Sequence, residues 1–156
     1  MKRPRCIAPR LLLLLVLAAV LGCDPPPPGR ARPYGCDIFV RGTFLDSDAA
    51  ASRAICDDRN RMTFVGQQTY VCTLLLEPGT YFLKFGDVTW RAMEIGAREY
   101  RTALEPQPNP RWLDTISGKN AQEFSVTIPT AGQYICELRA VARTQAQVRM
   151  RTQADR

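Results

Sequence analysis

The chain has 156 residues, 46% of them hydrophobic, which suffices for one packed core and is too short for two domains with linkers. Four of its 21 basic residues (Lys2, Arg3, Arg5 and Arg10) stand in the first 22 positions without an acid, so the rest of the chain carries 17 basic against 15 acidic residues, and a net +2 removes the electrostatic case for nucleic acid. There is no histidine, which excludes His-based triads, His metal ligands and a His pH switch.

Residues 1–22 read as an export signal. A basic stretch from Met1 to Arg5 precedes an unbroken apolar run, Leu11–Leu21, of 11 residues. That run is too short to span a bilayer and has the length of a signal h-region. It ends in Val20-Leu21-Gly22-Cys23. This segment resembles the bacterial lipobox, with matches at Val20, Gly22 and Cys23. The resemblance implies cleavage before Cys23 and lipidation of Cys23. Several acyl chains on one residue would anchor the protein far more firmly than a single chain does. Asp24 comes directly after Cys23. In enteric-type lipoproteins an Asp here marks inner-membrane retention, a rule that varies between bacterial groups, so either membrane of the envelope is open. Residues 23–33 then form a tether. Four consecutive prolines, Pro25–Pro28, favour polyproline II and forbid a helix. At roughly 3 Å per residue the tether lifts the remainder of the chain about 25–30 Å above a bilayer.

Residues 34–152 read as one β domain, with 153–156 as a tail. From Cys36 to Phe44 apolar and polar positions alternate, placing Ile38 and Val40 on one face and Asp37 and Arg41 on the other. Gly42 marks a bulge or a close backbone approach. Residues 46–60 break the pattern: Asp46 or Ser47 serves as an N-cap for a short Ala-rich helix. Met62–Val65 and Thr69–Leu76 form a hairpin across Gly66, Gln67 and Gln68. Pro78 and Gly79 suit the centre of a type II turn. Tyr81–Phe85 is the next strand, and Val88–Met93 a candidate for another. Residues 105–111 are a Pro-rich loop. Phe124, Val126 and Ile128 point inward between Ser125 and Thr127. Pro129–Gly132 turns the chain, and Gln133–Arg143 and Gln147–Thr152 complete it, with Arg139, Arg143, Arg149 and Arg151 on outward positions. These signals describe an all-β, immunoglobulin-like antiparallel β-sandwich of about seven or eight strands with a short helical insertion.

Once Cys6 leaves with the signal and Cys23 takes lipid, Cys36, Cys56, Cys72 and Cys136 remain. An even number in an exported domain suggests two disulfides, with three connectivities open. Cys36–Cys136, near the domain's two ends, with Cys56–Cys72 pinning the insertion, is one candidate set. No Cys-x-x-Cys and no His supports a metal site.

Segment order carries a second resemblance. Arg41-Gly42-Thr43-Phe44 is followed by Pro78-Gly79-Thr80-Tyr81-Phe82-Leu83-Lys84-Phe85, then Asp87 and Trp90, with Glu94-Ile95-Gly96 downstream. Gly118–Pro129 then leads to Ala131-Gly132-Gln133-Tyr134. Over residues 37–152 this is similar to the early-set β-sandwich domains beside pullulanases and other starch-active enzymes, with glycogen-binding domains as more distant relatives. The resemblance implies stacking tryptophans and a hydrogen-bonding lysine. Trp90 matches the second Trp and Lys84 the Lys, while the place of the first Trp falls near Asp46 and Ser47. A pyranose has an apolar C–H face that stacks on an aromatic ring and hydroxyls that need directed donors. Trp112, after the Pro-rich loop, is a further candidate contact residue.

No nucleophile with an orienting base is visible, so the domain reads as non-enzymatic and without a cofactor. Two readings stand. One is a lipid-anchored, carbohydrate-binding-like module of the bacterial cell envelope, with an alpha-glucan or envelope polysaccharide as ligand and an exposed Trp90. The other is a scaffold lipoprotein that has lost the sugar site and meets an envelope protein partner, with Trp90 in the core and contacts at the Ala-rich insertion or Trp112.

Overall fold

The alternation read from the sequence becomes two antiparallel sheets facing each other across one apolar layer. The computed structural model describes residues 32–142 and 144–153. The signal, Cys23, the tether up to Ala31, Arg143 and the last three residues lie outside these. The described residues form ten strands and one helix in the order β1 (Phe39–Gly42), α1 (Ala49–Ala54), β2 (Thr63–Gly66), β3 (Thr69–Leu76), β4 (Gly79–Gly86), β5 (Glu94–Gly96), β6 (Leu113–Asp114), β7 (Ile116–Ser117), β8 (Phe124–Ile128), β9 (Gly132–Ala142) and β10 (Gln145–Thr152). The strand count exceeds seven or eight because β6 and β7 are two-residue pairings with no periodicity to betray them.

The first sheet runs β1-β4-β5-β7, with β8 also paired to β4. Leu83 pairs with Gly42 on one side and Phe124 on the other, so β1 holds one edge of β4 and β8 and β5 share the opposite edge. The second sheet runs β2-β3-β9-β10-β6. Between the sheets lie Ile38, Val40, Leu83, Phe85, Phe124, Val126 and Ile128 from the first, and Tyr70, Leu74, Leu138, Val148 and Met150 from the second. Burial of these side chains is the main favourable term, at about 1.5–3 kcal/mol for each large apolar group.

Three local readings need correction. The helix is capped by Asp48, not Asp46 or Ser47: its carboxylate accepts the amides of Ala50 and Ala51 at 2.8 and 3.2 Å. Pro78 and Gly79 do not form the centre of a type II turn. Strand β3 lies in the second sheet and β4 in the first, so the segment crosses between sheets, and Gly79 at φ +157° already pairs with Ile128 as strand. Val88–Met93 is not a strand but a loop between β4 and β5. The Gly42 reading holds, since a Cβ there would meet the Phe82 carbonyl and the Phe44 ring.

The insertion is fastened to β1. Ser52, fully buried, donates its hydroxyl to the Gly42 carbonyl at 2.6 Å and accepts the Leu45 amide at 2.8 Å. Asn60, also fully buried, donates to the carbonyls of Val40 and Ile55. Main-chain bonds from Val40 to Asn60 and from Met62 to Ile38 occupy the outer edge of β1.

Candidate functional site

The outward face of β4 carries Phe82, Lys84 and Gly86, since Leu83 and Phe85 point into the core. Across from it, β1 sets Arg41 directly opposite Lys84 and Phe39 opposite Gly86. On the other side β5 sets Glu94 opposite Gly86. The sandwich thus gathers two cations, a carboxylate and a glycine on one outward-facing patch.

Trp90 is laid onto that patch by the loop leaving β4. The Asp87 carboxylate accepts the Thr89 hydroxyl at 2.6 Å and the amides of Thr89 and Met93, each at 3.0 Å. Burial pushes this carboxyl's pKa up, but those hydrogen bonds outweigh it and hold the group at about 2, below the ordinary 3.8. The loop it organises puts Trp90 in the left-handed region at φ +59°, a conformation that costs a non-glycine residue about 1–2 kcal/mol. The indole rests on Gly86: a Cβ there would lie 2.6 Å from Cε3 and Cζ3. The Arg41 guanidinium sits 3.9 Å from the ring centroid. Trp90 is half-buried and outside the core cluster.

Arg41 is 5% exposed and offsets the cost of its burial with directed bonds. Its Nε donates to the Arg53 carbonyl at the end of α1 at 2.8 Å. Its Nη1 donates to the carbonyls of Asp87 and Val88 at 2.9 and 3.1 Å. Lys84 Nζ meets Glu94 Oε1 at 2.9 Å. Arg53 binds Glu123 through both carboxylate oxygens, at 2.6 and 3.1 Å. With Tyr100, which is 67% exposed, and Gln122, these residues line an open cleft of about 330 Å³. The arrangement offers a fixed aromatic surface ringed by charged donors and acceptors already aligned by their own partners. Such a site can hold a polar ligand with an apolar face.

Trp112 is not part of this cleft. It lies on the outward face of the second sheet, with the guanidiniums of Arg139 and Arg149 each 4.3 Å from its ring centroid. Glu137, nearly buried on β9, takes both Arg149 and Arg151, and Gln147 links Arg139 to Asp114. Of the three candidate contact residues, the structure joins Trp90 and Lys84 and sets Trp112 apart in a cation–π stack of its own.

Cys36, Cys56, Cys72 and Cys136 are free thiols in this structure. The register partner of Cys136 is Cys72, not Cys36. Burial pushes the Cys72 thiol up to about 12 and that of Cys136 well above its ordinary value, the neighbouring Cys72 adding to the latter.

The architecture has a solved counterpart. An amylase starch-binding domain, AmyP-SBD in its ligand-induced structure, matches over 95% of this chain and 95% of its own, with a TM-score of 0.55 and 22% sequence identity. This chain shares that domain's fold. At such identity the likeness establishes an all-β sandwich and nothing of individual residues. No protein-family model matches the chain, and no curated protein does.

Sequence reasoning missed Arg53, Glu123 and Tyr100, which reach the cleft only through the packing of α1 and the pairing of β4, β5 and β8. Arg41 and Glu94 stood in the quoted motifs without a role. The Asp87-x-Thr89 spacing was a readable signal, because a short acid two residues before a hydroxyl caps its own loop.

Proposed function

We propose that this chain is a lipid-anchored, non-catalytic bacterial envelope protein whose sandwich binds a glycan, either an alpha-glucan or an envelope polysaccharide, on the outward face of β4. The observation that carries the reading is Trp90. A strained, half-exposed indole bedded on a glycine and flanked by Lys84, Glu94 and Arg41 is what a pyranose requires, an apolar plate beside directed donors and acceptors. The starch-binding domain of like fold supports the ligand class. Each carboxylate of the cleft is tied in an ion pair, Glu94 with Lys84 and Glu123 with Arg53, which favours binding over acid–base chemistry. Anchoring rests on Val20–Cys23 and on the prolines at 25–28.

The test is retardation in native gels containing amylose, glycogen, pullulan or peptidoglycan fragments. Wild type should slow on at least one polymer, and Trp90→Ala should weaken that interaction about tenfold or more, as loss of a central aromatic anchor does. Equal mobility of the two proteins on every polymer would overturn the reading. The scaffold alternative draws on Asp46 and Ser47, just before α1, near which the resembled domains carry their first Trp. It predicts no retardation and a crosslinked protein partner instead. Cys23→Ala should move the protein from the membrane to the soluble fraction.

A further inference from the structure

Trp90 and Glu94 border a second cleft as well as the first. This one holds about 390 Å³ and is lined also by Tyr34, Arg91, Lys119 and Thr144. Three loops build it. Arg91 stands beside Trp90 on the loop that Asp87 orders. Lys119 sits on the turn after β7, held to β5 by the Gly118 amide on the Glu94 carbonyl at 2.8 Å. The Thr144 carbonyl accepts the Ser117 hydroxyl at 3.0 Å. The charge is unbalanced. Arg91 and Lys119 are exposed and make no ion pair among the described residues, and Glu94, the one acid on the cleft wall, is taken by Lys84. Tyr34 adds a buried hydroxyl with no hydrogen-bond partner among the described residues.

We propose that this second cleft is an anion-accepting subsite, taking a carboxylate or phosphate group on the sugar unit next to the one that stacks on Trp90. The inference rests on the glycan reading and adds to it. The ligand runs across Trp90 from a cleft whose cations all have partners, Lys84 and Arg53 in ion pairs and Arg41 on backbone carbonyls, to one that presents two cations without an ion pair among the described residues. A uniformly neutral glucan would leave Arg91 and Lys119 unused, whereas an acidic substituent would meet two charged donors at once.

The experiment titrates the purified full chain with three matched oligosaccharides: a neutral maltoheptaose, the same sugar bearing a 6-phosphate, and one bearing a glucuronate. The phosphate and uronate arms separate the two sources of negative charge. At low ionic strength at least one substituted sugar should bind about tenfold more tightly than the neutral one. That advantage should shrink as salt rises to about 0.15 M. The double variant Arg91→Gln/Lys119→Gln should lose the advantage and keep the affinity for the neutral sugar. Equal affinity of wild type for all three sugars, or an advantage that survives the double variant, would overturn the subsite while leaving the glycan reading in place. Binding of none of the three would remove this subsite together with the alpha-glucan form of the glycan reading, and the gel test above with peptidoglycan fragments decides the envelope-polysaccharide form.

Discussion

Gly86→Ala tests whether the indole is held where the site needs it. Gly86 ends β4, paired with Phe39 on one side and Glu94 on the other, and alanine in place of a strand glycine is ordinarily favoured by roughly 0.5–1 kcal/mol. Here the added methyl would stand 2.6 Å from two ring carbons of Trp90 and 3.2 Å from the Met93 carbonyl. Carbon atoms pack at about 3.5–4.0 Å, so the ring must retreat by about 1 Å. It has little freedom to do so, with Asp87 fixing its loop. Overpacking of this kind costs about 1–3 kcal/mol, so the balance falls on the destabilising side by about 0.5–2 kcal/mol. Trp90→Ala removes the obstacle. In that background Gly86→Ala should be neutral or stabilise by up to about 1 kcal/mol, giving a coupling of about 1–3 kcal/mol. Urea unfolding of the four proteins, followed by far-UV circular dichroism, measures it. An equal cost of Gly86→Ala with and without the indole would refute the bedding of Trp90 on Gly86.

Other perturbations reach the loop, the insertion and the thiols. Asp87 has its carboxyl pKa depressed from 3.8 to about 2, so its contribution to stability is present above pH 3.8 and is lost as pH falls through about 2; in a Trp112→Phe protein, Trp90 emission should hold steady through about pH 4 and shift as pH approaches about 2. Ser52→Ala removes a buried hydroxyl that serves both Gly42 and Leu45, and should lower the urea-derived stability by about 1–3 kcal/mol. Oxidised protein should yield a Cys72–Cys136 linked peptide on mapping, because opposed residues of antiparallel strands have Cα atoms about 4.5–5.5 Å apart, within reach of a disulfide. A Cys36–Cys136 peptide in its place would contradict the β3–β9 register.

Much of the sandwich could be read from side-chain alternation alone, because strands with one buried face declare it. Phe124, Val126 and Ile128 did so, as did Ile38 and Val40, and the hairpin at Gln67 and Gln68 lies where its turn residues put it, both at positive φ. The failures have local causes. A Pro-Gly pair signals a change of direction but not whether the next strand joins the same sheet, so the β3–β4 crossing was invisible. Val88, Thr89 and Trp90 favour strand by propensity, and the Asp87 carboxylate overrides them by capturing two amides of the loop. Asp46, Ser47 and Asp48 are all competent caps, and the choice of Asp48 goes with the docking of Ser52 on β1. Trp90 and Lys84 were legible as a pair through spacing. Their partners Arg41 and Glu94 were not, since cross-strand neighbours are set by register, and Arg53 and Glu123 lie 70 positions apart in the chain.

The segment that lines the free side of β1 has a bearing on how copies of this protein coexist. An open strand invites the same strand of a neighbour to zip onto it, and crowding on a surface raises the odds of that encounter. Here residues 60–62 already fill the main-chain positions that such a neighbour would seek. The remaining sheet borders among the described residues are β7 and β6, two residues each, the four-residue β2, which is irregular where Gly66 meets Thr69, and β8, whose outer side is met at Ser125 by main-chain bonds with Thr102 and Leu104. Dense packing of many copies therefore need not end in fused sheets: the chain supplies its own selvedge.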